Sequence, residues 1–109
     1  MAERIPDDAL VIRGGRNHPE DLRRGTGTHP SGVTGVSVEC AQGFSAEELA
    51  AALPHNQIGV TTVAAVRAAG GDVVRTSGRS QRHATMVGLS PHDASRLLTP
   101  TQANPARKL

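Results

Sequence analysis

Aromatic side chains are almost missing from this chain: Phe44 stands alone, with no Trp and no Tyr. That absence excludes recognition modules that stack nucleobases on aromatic platforms, although it leaves phosphate contact open. Cysteine is equally scarce. A single Cys40 permits neither an internal disulfide nor a cysteine-based zinc site within one chain. No apolar run reaches membrane-spanning length, and the opening "MAERIPDDAL" is charged where a signal peptide would be apolar. A cytoplasmic protein without membrane attachment is therefore expected, with export by an injection apparatus still open. Lysine is nearly absent too: all twelve basic side chains are Arg except Lys108. Arg grips phosphate and carboxylate in a bidentate way, but a GC-rich coding bias would enrich it as well.

Net charge is only +2 over 109 residues, so the high-charge signature of disorder is not met. The length allows one hydrophobic core and one domain, 1–109. Residues 1–8 and 100–109 read as loose tails.

Between them the periodicities alternate. "ALVIR" (9–13) is a short buried strand stopped by Gly14-Gly15. Residues 14–35 are Gly-rich and irregular, with one helical turn in "PEDLRR"; a loop that long in a small domain is usually functional, and it is expected on the surface beside the later hairpin. "GVTGVSVEC" (32–40) alternates Val33, Val36 and Val38 as a strand does. Ser45 and Glu48 form a capping box, with Phe44 and Leu49 spaced as its hydrophobic staple. "QIGVTT" (57–62) is a strand or an extended lead-in; Thr62 caps a helix that Gly70 ends. "DVVRT" and "HATMVGL" make a hairpin, and Ser90-Pro91 starts the last helix. The expected fold is α+β: a small, mostly antiparallel sheet of three to five strands, with two or three helices packed on one face.

The hairpin carries the densest chemistry. On a strand His83 and Thr85 share a face about 7 Å apart. His exchanges protons near neutral pH. A Thr hydroxyl can hold a phosphate oxygen, and Arg79, Arg82 or Arg75 can neutralise the phosphate. Such a set suits phosphodiester cleavage without metal or other cofactor, with Arg13 and His29 as further substrate contacts and His29 or His55 as a second proton carrier. The same pattern also describes a solvated strand face beside an Arg-rich turn.

Other arrangements are weaker. His18, His29 and His55 lie beside prolines, and His92 follows Pro91; none shows the i, i+4 spacing of a zinc helix. A metal site built from His18 and His29 would need the long loop to bring them together. "RGTGTHPSG" has neither the Lys nor the spacing of a P-loop. Cys40 at a strand end reads as a small buried hydrophobe.

Three resemblances attach to these residues. "HATM" is similar to the His-x-Thr-hydrophobic motif of two-histidine phosphoesterases, carried here by His83 and Thr85; the second copy that family needs is not matched by "HPSG" at His29. "VIRGG" (11–15) followed by "GVSV" (35–38) resembles the first two motifs of ADP-ribosyltransferase-like toxins. That likeness implies Arg13 gripping a dinucleotide and Ser37 supporting its nicotinamide pocket, but the late catalytic Glu motif has no counterpart, since nothing acidic lies between Asp72 and Asp93. The element order, with its late His/Thr/Arg strand pair, resembles the small RNase toxin domains of bacterial competition systems, of barnase and colicin type. This implies RNA as substrate and an immunity protein, antitoxin or larger effector as partner. A non-catalytic interaction module, its Ala-rich helices completing a core with another chain, is the rival from a different class.

Overall fold

A computed structural model describes residues 3–107. Its centre is built where apolar residues run consecutively. β1 (Leu10–Gly14) places Val11 on one face of a sheet and Ile12 on the other, both fully buried. It lies between β3 (Thr34–Ala41) and β4 (Gln57–Thr62), antiparallel to both. β6 (His83–Val87) extends the sheet beyond β3, and β5 (Asp72–Arg75) closes that side as the expected hairpin. β7 (Gln102–Ala103) adds to β4, and β2 (Thr26–Thr28) pairs with the first half of β3. The strand order is β5-β6-β3-β1-β4-β7, with β2 off this path beside β3.

The α+β class is as expected, but among the described residues the sheet has seven strands and four helices accompany it. The additional strands are β2 and β7, of three and two residues, made of Thr, Gly, Gln and Ala. They pair because turns deliver them to an open edge, not because their side chains favour strands. The region 14–35, expected to be irregular, holds α1 (Pro19–Gly25) and β2. α1 is set by the Asp21 carboxylate, which accepts from the His18 backbone N–H at 3.0 Å, and by the Glu20–Arg23 and Asp21–Arg24 pairs. As expected, the segment lies against the β5–β6 loop: the His29 ring is hydrogen-bonded to Ser77.

The helices occupy both faces rather than one. α1, α3 (Val63–Ala68) and α4 (Pro91–Leu98) bury Leu22, Val63, Val66, Ala94 and Leu98 against Val11, Val36, Val38 and Met86. α2 (Ala46–Ala50) covers the opposite face, where Leu49, Phe44 and Leu53 meet Ile12 and Ile58. Strands with apolar residues at adjacent positions need cover on both sides. α2 is short, so it shields only the β1–β4 part of that face and leaves the β3–β6 part open.

The described residues near both ends, 3–8 and 100–107, include packed positions, where loose tails were expected. Ile5 is fully buried in the larger core, Arg4 bridges to Val74, and Asp7 pairs with Arg67. Asn104 is buried, its side-chain amide donating to the His55 carbonyl at 2.9 Å. These ties are tertiary: one Ile among charged residues and one Asn in a polar run have no local signature. Lys108 lies outside the described residues. Among those described, no helix is long and apolar enough to cross a membrane.

The capping box at α2 is formed as read: Ser45 Oγ accepts from the Glu48 N–H at 3.1 Å, and a Glu48 carboxylate oxygen accepts from the Ser45 N–H at 2.9 Å. These bonds draw the Glu48 carboxyl below its usual range. Ser45→Ala should lower stability by about 1 kcal/mol, read as a lower midpoint in a thermal melt.

Candidate active site

The face that α2 leaves open is decided by the register of β3 against β6. Ser37 lies opposite Thr85, and Glu39 opposite His83. Side chains directly opposite have Cβ atoms about 5 Å apart, so a carboxylate and an imidazole share one small area. Leu53 and Pro54, beyond α2, form one wall, and the β5–β6 loop with Gly78, Arg79 and Ser80 forms the other. The groove between them has a volume of about 570 Å³, with Ser37, Glu39 and His83 on its floor.

The ring of His83 is held from three sides. It stacks on His29 with centroids 6.1 Å apart and planes 30° from parallel. Gly78 passes so close that a Cβ there would lie 2.5 Å from the ring. Its Nδ1 is 2.9 Å from Thr76 Oγ1 and 3.3 Å from the Thr76 carbonyl. A carbonyl only accepts, so Nδ1 carries the hydrogen on that side. Nε2 has no hydrogen bond among the described residues and remains for proton exchange. Thr76 Oγ1 also meets Thr85 Oγ1 at 2.9 Å, so a buried Thr85–Thr76 pair orients the imidazole.

This alters the expected part of Thr85. Its hydroxyl is buried and engaged by Thr76, so it positions His83 and is not displayed to a phosphate. His29 is equally committed. Its Nδ1 accepts from the Ser31 N–H at 3.0 Å, which leaves Nε2–H to donate to the Ser77 carbonyl at 2.8 Å. It supports the ring of His83 and has no free nitrogen in this arrangement.

The arginines separate. Arg79 is exposed on the groove wall beside His83. Arg82 lies over the Phe44 ring, 4.2 Å from its centroid, a cation–π contact that ties the hairpin to the start of α2. Arg75 is turned away: it pairs with Ala84, whose side chain lies in the helix-side core, and it bonds the His83 carbonyl and Glu3. Odd positions on β5 share a face with even positions on β6, which puts Arg75 and His83 on opposite sides.

Arg13 sits where β1 parts from β3. The carbonyl of Ser37 falls between the stretch of β3 paired with β1 and the stretch paired with β2, and an Arg13 Nη donates to it at 2.8 Å. The guanidinium thus fills a gap in the ladder. Burial lowers its pKa, and the nearby Asp21 charge opposes part of that effect. Its Nε is buried without an acceptor among the described residues. His55 lines the same end of the groove, packed so closely on Gly14 that a Cβ there would be 2.0 Å from its Nδ1.

Glu39 is the residue the sequence reading passed over. It is 5% exposed, and its Oε1 is buried with no hydrogen-bond partner among the described residues. The clue was available: one acid in an apolar strand, alternating with Val38 and Cys40, falls on the same face as Ser37. Leaving a carboxylate oxygen unpaired in a buried position costs stability, so its presence there asks for a functional reason. Among the described residues, no group of three or more His, Cys, Asp or Glu is placed to hold a metal ion. Cys40 lies on the helix side, fully buried, with its thiol pushed up to about 11 by burial.

Searches against protein-family models, curated proteins and solved structures find no match to this chain.

Proposed function

We propose that this domain cleaves RNA by transesterification, as the toxin-like reading anticipates, with Glu39 and His83 as its base and acid. The observation that carries the proposal is the cross-strand placement of Glu39 opposite His83, with His83 Nδ1 tied to Thr76 and no hydrogen bond at its Nε2 among the described residues. The Glu39 carboxylate takes the proton of a ribose 2′-hydroxyl. The 2′-oxygen attacks phosphorus, the bond to the 5′-oxygen breaks, and that oxygen takes a proton from His83 Nε2. The products are a 2′,3′-cyclic phosphate and a 5′-hydroxyl end. Arg79 on the groove wall stabilises the charge growing on the phosphoryl oxygens. An RNase of this type would be held in check by a protein partner covering the groove.

Placement of the imidazole is central to this chemistry, since displacing a catalytic group by about 1 Å can cost about 10²-fold. Gly78→Ala pushes a methyl group into the His83 ring. It should lower cleavage by about tenfold or more, while the folded state, read by melting and by its circular dichroism spectrum, is retained.

A second reading has one contact in its favour. Arg13 and Ser37, the two residues that resemble the first motifs of ADP-ribosyltransferase-like toxins, meet at 2.8 Å through the Ser37 carbonyl. Incubation with NAD separates the two: release of nicotinamide favours this reading, and RNA scission without it favours the first.

A further inference from the structure

A smaller cavity of about 220 Å³ shares Ser37, Glu39, Leu53 and His83 with the groove, and Arg13, Gly14 and His55 with a further cavity of about 420 Å³. Arg16 and Arg24 line this further cavity with Arg13, and Asp21 is its only carboxylate among the described residues. Three guanidinium groups thus face one acid, which is already paired with Arg24 at 2.9 Å. Two buried polar atoms there have no partner among the described residues: the donor Arg13 Nε and the acceptor Asn17 Oδ1. Asn17 is 1% exposed, and its Nδ2 donates to the carbonyls of Arg13 and Gly15 at 3.0 and 3.3 Å. Those carbonyls can only accept, so the amide orientation is fixed and Oδ1 is the unmet acceptor.

An anion without a hydroxyl offers acceptors alone, so it would satisfy the arginines and leave Asn17 Oδ1 unmet. A phosphate that carries a hydroxyl-bearing sugar satisfies both. We infer that this cavity is a nucleotide subsite, holding a second phosphate of the RNA strand on Arg13, Arg16 and Arg24 and taking a hydrogen bond from a ribose hydroxyl at Asn17. The inference rests on the RNA-cleavage reading for the identity of the ligand. It makes the substrate an oligonucleotide that spans two phosphates rather than a single phosphodiester.

Binding of a single-stranded RNA oligonucleotide, followed by fluorescence anisotropy over a range of salt, tests it. The His83→Ala protein serves as the background, so that the probe is not consumed. Adding Arg16→Ala and Arg24→Ala should weaken binding by about ten- to a hundredfold. It should also flatten the logarithmic salt slope by about 0.7, the value for one lost single-strand phosphate contact. Binding of a dinucleoside monophosphate, which has no second phosphate, should not change. Both arginines are exposed, so the fold should persist. Unchanged RNA affinity and slope in the triple variant would overturn the subsite, even if the wild type cuts RNA. If the wild type leaves RNA intact while the two arginines still set affinity and slope, the cleavage reading falls and the phosphate subsite stands.

Discussion

Glu39→Gln should lower RNA cleavage by about 10²–10⁴-fold while the thermal midpoint stays at or above that of the wild type. The two halves of this result have one cause. Glu39 is buried, and its Oε1 meets no donor among the described residues, so the folded state bears the cost of an unmet buried acceptor, which is larger for a charged group than for a neutral one. Gln keeps the shape and removes the charge, which relieves that cost. It also removes the only carboxylate on the floor of the groove among the described residues and with it the proposed base. A purely structural carboxylate would behave the other way: loss of stability with no consequence for cleavage. Parallel melts and cleavage rates on one preparation distinguish the two.

The largest effect on stability is expected at the N-terminal segment. Ile5 is fully buried in the helix-side core. Around it, Arg4 bridges Val74, the Ala64 N–H donates to the Asp7 carbonyl at 2.9 Å, and Asp7 pairs with Arg67. Ile5→Ala removes a buried branched side chain and leaves a cavity, at a cost of about 2–5 kcal/mol. For a domain of this size that lowers the midpoint by on the order of 10 °C or more. A midpoint that did not move would mean that this segment behaves as a loose tail after all.

How plainly each element shows in the sequence depends on the range of its signal. Ser45, Thr62 and Ser90 all accept from the backbone N–H three residues on, because an N-cap is decided within one turn. β1, β3 and β5 carry enough Val and Ile to declare themselves, and β6 is marked by its Thr, Met and Val. β2 and β7 do not, since their pairing depends on where turns deliver a few small residues. The burial of Ile5 and Asn104 is likewise set by distant partners.

In the site, the shared face of His83 and Thr85 follows from alternation within one strand. The Glu39–His83 pair does not, because it needs the register between strands more than forty residues apart in sequence. Arg75 departs from the expected place for a related reason. The β5–β6 loop, from Thr76 to Arg82, is too long for its length to fix which residues face each other, and the observed register sends Arg75 to the helix side. The chain to His83 through Thr76 also depends on that loop.

The most direct test of the account is the product of incubating a synthetic single-stranded RNA with the wild-type domain and with His83→Ala. The account predicts strands ending in a 2′,3′-cyclic phosphate with the wild type. It predicts a loss of about 10²–10⁴-fold in rate for His83→Ala, with a melt that still shows a cooperative folded state. RNA left intact by the folded wild-type domain, or cut equally well by His83→Ala, would contradict it, and a non-catalytic interaction module would then be the better reading.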